Sequence, residues 1–152
     1  MARFIFRMQS ILNIKEKLEE QAKLEFGLAR RALDEEEARL SALFVRKDGY
    51  MEEGRRLMAD QLCVQDIMDN KSYIITIDGY IDLQRLAVRQ AEEFLEAARQ
   101  KMEEAIKERK TYERLRERAF EEFVQEEKAR EFKEVDELVS YKHATKPVAS
   151  GQ

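Results

Sequence analysis

Proline is almost missing from this chain: of 152 residues only Pro147, near the end, is one, and glycine occurs five times. A domain built from many short elements needs turns, and turns draw on those two residue types, so such a domain is excluded. Nothing before Pro147 imposes a proline break on a helix. The single cysteine, Cys63, rules out an internal disulfide and fits a reducing compartment. Apolar runs are short as well, and none approaches the ~20 residues of a membrane span. At the start, Arg3 and Arg7 bracket only Phe4-Ile5-Phe6, and Lys15, Glu16 and Lys17 follow, which is not the layout of a signal peptide. The chain is therefore expected to stay in the cytosol. Neither sign of charge dominates: 28 Lys and Arg against 32 Asp and Glu leave a net charge of −4. That balance describes a solvated surface and gives no reason to expect nucleic acid, which favours a strongly basic face.

What the chain has in quantity is charge, at 39% of residues. High charge with few breakers reads as long helix or coiled coil, or as disorder, and apolar periodicity separates the two. Stepping alternately by three and four from Ile5 through Met8, Leu12 and onward to Val64 and Met68 visits nineteen positions, of which thirteen are apolar. A second walk from Ile74 through Ile77, Ile81 and onward to Phe123 and Glu126 finds twelve apolar positions in sixteen. Both exceed the 43% hydrophobic content of the chain as a whole, so each marks a coiled-coil seam. After Ala119 the second seam drifts to a stripe of Phe120, Val124, Phe132, Val135 and Val139.

The stretch ADQLCVQDIMDNKSYIITIDGY is the place for a break between two helices. It is lower in charge and carries Asp66, Asp69, Asn70 and Ser72, which favour caps and turns. The sequence places the turn within 60–66, with the second helix entered through Gln65-Asp66; a break nearer Ser72 is the alternative. Two long helices joined by a short turn run antiparallel. The expected fold is all-α: an antiparallel two-helix coiled-coil hairpin forming an elongated rod, with helix 1 at about 4–60, helix 2 at about 66–141 and a disordered tail over 142–152. Mirroring about the turn pairs Tyr50 with the neighbourhood of Ile77, and Met8 with that of Ala119.

No constellation for chemistry emerges. His143 is the only histidine and has no second ligand at metal spacing. Cys63 has no nearby base. Acidic pairs such as those in DEEEAR need a cleft to perturb them, and on an exposed helix they are solvated charges. There is no phosphate loop. The sequence therefore points to no catalytic residue, no metal and no cofactor, and to function by binding.

Apolar residues off the seam mark candidate surfaces, because the partner helix does not cover them. Tyr73 and Tyr80 lie seven apart beside the second seam, Phe94 lies two heptads beyond Tyr80, and Tyr50 lies opposite. With Leu43 and Ile77 they form an aromatic patch that either binds a partner or caps the hairpin against water. At the other end, Phe4, Phe6, Phe120, Phe123 and Phe132 cluster, either to bind or to seal the helix ends.

The opening FIFRMQSILNIKEKLEEQAKLEFGLA resembles the start of the FliJ family of flagellar export proteins. The middle segments LSALFVRKDGYMEEG and VQDIMDNKSYIITIDGYIDLQRLAVRQ are similar to that family's segments before and after its turn, and the charged KERKTYERLRERAFEEFVQEEKAREFKEVDEL to its C-terminal helix; the resemblance covers about residues 3–139. It implies a monomeric, non-enzymatic hairpin akin to the stalk of rotary ATPases. Such a hairpin binds the hexameric export ATPase (FliI-like), the cytoplasmic domain of the membrane export gate (FlhA-like) and export chaperones, at the inner face of the membrane. By the same resemblance Leu43, Arg46, Tyr50, Tyr73, Ile77, Tyr80 and Gln84 would face the gate, while Phe4, Phe6, Arg7, Arg116, Phe120 and Phe123 would meet the ATPase. A rod of this kind could couple machines ~80 Å apart. The competing expectation is a generic dimerising coiled-coil spacer with no export role.

Overall fold

A seven-residue apolar repeat leaves one stripe of a helix in need of cover, and an antiparallel neighbour can supply it. The computed structural model, which describes residues 2–59 and 63–145, consists of two helices, α1 over Gln9–Ala59 and α2 over Val64–Thr145. There is no strand among the described residues. The fold is an all-α, antiparallel two-helix coiled-coil hairpin. Its contacts divide into two units, one of Leu18–Ala105 and one that joins the residues up to Lys17 to those from Ile106 onward.

In the unit Leu18–Ala105 the three-four walk is followed closely. Every seam position of α1 from Glu19 to Leu57 is buried or half-buried, and on α2 the same holds from Ile67 through Asn70 and Ile74 to Ala105. Ala22, Ile77, Ile81 and Ala91 are the deepest apolar residues, with Ile77 only 2% exposed. The antiparallel sense is explicit in the partners. As α1 is followed forward, Glu25 bonds Lys101 at 3.1 Å, Glu36 meets Gln84, Lys47 bonds Asp78 at 2.8 Å and the Tyr50 ring lies 5.6 Å from that of Tyr73.

Two side-chain amides cross this seam to reach backbone. Asn70, 6% exposed, donates from Nδ2 to the Tyr50 carbonyl at 2.8 Å. Gln84 donates from Nε2 to the Glu36 carbonyl at 2.9 Å and also to the Glu36 carboxylate. Such bonds are available only in one register, since a slip of one turn would bury an amide against apolar side chains. Space for Asn70 comes from Gly54: a Cβ at that position would stand 2.6 Å from the Asn70 Oδ1.

In the other unit Leu12 is the buried anchor, 3% exposed. Lys15 Nζ bonds the Glu108 carboxylate at 2.8 Å and lies 5.9 Å from the Tyr112 ring centre, while Arg116 Nε donates to Gln9 Oε1 at 3.0 Å. The hydrogen bond to Glu108 holds the Lys15 ammonium above the ordinary lysine pKa. From Lys128 to Thr145 every residue of α2 is exposed, Phe132 included at 77%.

The helix bounds and the ends of the seam differ from the sequence-based expectation. Helix α1 starts at Gln9 rather than near residue 4, with the Met8 carbonyl accepting the first α-helical bond from Leu12. Residues 2–8 are not helical, and burial alternates from Arg3 to Arg7: Phe4 and Phe6 turn inward while Ile5 is 77% exposed. The reason is the period, which is two in an extended segment, so Phe-Ile-Phe aims its aromatics to one side and its isoleucine to the other. Val64 and Met68, expected on the first seam, are exposed positions in the first turns of α2. Cys63 supplies the carbonyl for the first bond of α2, from Ile67, which puts Asp66 inside the first turn, where its charge favours the positive end of the helix. Residues 142–145 are helical. Gln61, the rest of 60–62 and the tail 146–152 lie outside the described residues.

An exposed Gly→Ala exchange within a helix ordinarily stabilises it by up to about 1 kcal/mol. Here Gly54→Ala is expected to lower the melting temperature, because the new methyl displaces Asn70 from the Tyr50 carbonyl. In an Asn70→Ala background the same exchange becomes neutral or stabilising, a coupling of about 1 kcal/mol. Thermal melts of the four chains of this cycle measure it, and equal effects of Gly54→Ala in both backgrounds would refute the contact.

Candidate binding surfaces

A two-helix seam uses one sector of each helix and leaves the rest to solvent, so function has to be sought on what the seam does not cover. Around α2 from Lys71 to Ala97 the side chains sort into three sectors at helical spacing. One is the seam. A second holds most charges of the segment, Lys71, Asp78, Asp82, Arg85, Arg89, Glu92 and Glu96. The third runs through Tyr73, Thr76, Tyr80, Leu83 and Ala87 to Phe94 and carries no charge, in a chain where 39% of residues are charged; Leu86 lies at its edge, one heptad before Glu93. Tyr73, Tyr80, Leu83, Leu86 and Phe94 on it are 54%, 53%, 65%, 51% and 73% exposed.

The seven residues expected to face the export gate separate on this map. Leu43, Arg46, Tyr80 and Gln84 come together in one open groove between the helices, joined there by Arg39, Ala42 and Leu83. Tyr50 is half-buried and stacks obliquely on Tyr73 at the same flank. Ile77 lies in the core and offers nothing to a partner. Gln84 is half-buried and its amide is committed to Glu36, so it walls the groove from within. Leu83 was not singled out in the sequence, although its place three residues after Tyr80 on the uncharged sector is a readable signal.

Two cations rim this groove in different states. Arg39 is bonded to Glu36 at 2.9 Å. Arg46 is exposed, reaches only the Tyr50 hydroxyl at 3.5 Å, and has no carboxylate partner among the described residues. On the opposite flank a second open groove is lined by Met51, Gly54, Met58, Ile67, Asn70 and Ile74, and Arg85 stacks over Phe44 at 5.5 Å.

The residues expected to meet an ATPase are partly gathered. The Phe4 ring lies 5.2 Å from Phe120 and 5.5 Å from Phe123, and Arg116 covers it at 5.6 Å. These contacts seal residues 2–8 onto α2, while Phe120 stays 48% exposed. Phe6 is half-buried and Arg7 exposed, and neither joins the ring cluster. Phe132, expected in the cluster, stands apart from it on the uncovered part of α2.

Among the described residues no group of His, Cys, Asp or Glu could hold a metal ion, and no helix is long and apolar enough to cross a membrane. Cys63 is exposed. Charges elsewhere pair along their own helix: Arg99 bonds Glu96 and Glu103, which lowers the Glu96 pKa and raises that of Arg99. Such neighbours dress a solvated helix surface.

The fold and these surfaces define a class: a helical hairpin that offers contact faces in place of an enclosed site. The chain belongs to the flagellar FliJ protein family, whose model matches residues 4–147. It is thereby a protein associated with the flagellar export apparatus. Among solved structures it is similar to CT670 from Chlamydia trachomatis, a chain described as a YscO homolog, at a TM-score of 0.69 and 23% identity, over 97% of this chain and 100% of that one. That likeness concerns the fold. No curated protein matches the sequence.

Burial separates structural from binding roles within a few residues of α2. Ile77→Ala is expected to destabilise the hairpin by about 2–5 kcal/mol, and Tyr80→Ala by no more than about 0.5 kcal/mol. Urea unfolding followed by circular dichroism checks both, and a loss at Tyr80 as large as that at Ile77 would make Tyr80 a packing residue.

Proposed function

We propose that this chain is a non-enzymatic stalk and adaptor of the bacterial flagellar export apparatus, coupling the hexameric export ATPase to the membrane export gate and receiving export chaperones. The observation that carries this reading is the uncharged, exposed sector of α2 with its Tyr80 groove, since exposed apolar rings beside a groove are what a protein partner covers. In this reading the groove of Leu43, Arg46 and Tyr80 receives the gate's cytoplasmic domain, and Tyr73 extends it beside Tyr50. Tyrosine suits such a place because it combines a large apolar area with a polar tip. Phe120, Arg7 and Arg116, the exposed members of the terminal set, meet the ATPase, and the half-buried Phe4, Phe6 and Phe123 support them. The mechanism is coupling by binding: each partner biases the other through the helices between their sites, and no bond is made or broken by the chain. Gate binding also accounts for a place at the inner face of the membrane without a spanning segment.

A dimerising spacer is the competing function, and it predicts that a second copy covers the same face. Titration of the chain with the gate's cytoplasmic domain, paired with sedimentation, separates the two. Tyr80→Ala is expected to weaken gate binding by about tenfold or more, equivalent to at least about 1.4 kcal/mol, while the free chain sediments as a monomer of 18.0 kDa. A stable dimer at micromolar concentration, or gate binding indifferent to Tyr80, would contradict the proposal.

A further inference from the structure

The uncharged sector has a period as well as a composition. Tyr73, Tyr80, Ala87 and Phe94 stand at successive steps of seven, and Thr76, Leu83, Gln90 and Ala97 form a second series with the same step. Six of these eight are apolar, and both series sit one residue behind the seam positions that pack α2 on α1. A helix carrying two adjacent heptad stripes has knobs for two neighbours, and α1 occupies only one of them. A peptide in extended form would meet side chains at a period of two and could not follow this repeat.

The charge at the rim says what kind of helix fits. Across the groove from Tyr80 and Leu83, α1 presents Arg39, Ala42 and Arg46. Among the described residues Arg46 has no carboxylate partner. Ala42 and, two turns on, Gly49 keep that wall low; nothing stands within 4 Å of a Cβ built at Gly49. The occupant therefore needs an apolar stripe against Tyr73, Tyr80 and Leu83, and carboxylates on the flank that lies over Arg39 and Arg46. A second copy of this chain meets the condition poorly, since it would bring the same arginines to the same rim.

Resting on the gate-binding reading of this groove, we infer that the surface from Tyr73 to Ala97 is a docking site for a third helix, supplied by a partner protein as an amphipathic segment with an acidic flank. Bound there, the segment turns the unit Leu18–Ala105 into a three-helix coil. The discriminating contact is the pairing of its carboxylates with Arg46, a charge-assisted bond that a basic helix cannot make.

Two labelled helical peptides of about four heptads, each with leucines at the core positions, one with Glu and the other with Lys along the flanks, test this by fluorescence anisotropy against the full chain. The Glu peptide is expected to bind at least about tenfold more tightly than the Lys peptide. Leu83→Glu removes that binding without moving the melting temperature, Ile75→Glu on the charged sector leaves it intact, and Arg46→Glu reverses the preference between the peptides. Binding of neither peptide, equal binding of both, indifference to Leu83→Glu, or a dimer of the chain that Leu83→Glu disrupts would each overturn the inference. The same variants titrated with the gate's cytoplasmic domain keep the two readings apart. A gate that binds when the Glu peptide does not sinks the helix inference alone. A Glu peptide that binds when the gate does not sinks the gate reading alone.

Discussion

Two hydrogen bonds fix everything else about the unit Leu18–Ala105: the Asn70 amide on the Tyr50 carbonyl and the Gln84 amide on the Glu36 carbonyl. Apolar seams are tolerant of slippage by whole heptads, because one leucine or alanine replaces another at little cost. A buried amide is not tolerant, since leaving it unpaired costs about 1–3 kcal/mol. Asn70 makes the stricter demand of the two, for it also needs the missing side chain at Gly54. With the register set in this way, the cross-helix ion pair of Lys47 with Asp78 and the stacking of Tyr50 on Tyr73 follow as consequences.

Register also decides which residues are left outside. On α2 the seam takes Ile74, Ile77, Ile81 and Gln84, most charges gather on one flank, and the stripes Tyr73 to Phe94 and Thr76 to Ala97 on the other are left uncharged. The exposed rings of Tyr73, Tyr80 and Phe94 lie outside the core of the hairpin, whose deepest apolar residues are Ala22, Ile77, Ile81 and Ala91. Family membership gives these surfaces their setting in the flagellar export apparatus.

Much of the hairpin was legible in the sequence because a helix has one period and a seam repeats it: from Leu12 to Leu57 and from Ile74 to Tyr112 the stripes of the sequence are the buried and half-buried stripes of the structure. The ends were not legible in the same terms. Residues 3–7 switch to a period of two, which inverts the roles of Ile5 and its flanking phenylalanines. The surface was legible only in part: the second seam places Ile77 in the core, while the family resemblance sets it among the gate-facing residues, and its burial follows the seam. Spacing does not reveal that Gln84 spends its amide on Glu36; a glutamine on a seam is polar in any alignment of heptads, and only the opposing carbonyl tells whether it is satisfied.

The account turns on one flank of α2 being the working face, and single-cysteine protection tests that most directly. In a Cys63→Ser background, Tyr80→Cys places a thiol on the uncharged flank, and Asp82→Cys places one on the charged flank two residues away. The account predicts that the export gate's cytoplasmic domain slows labelling at position 80 and leaves position 82 unchanged. Equal protection at both positions, or protection at position 82 alone, would contradict it.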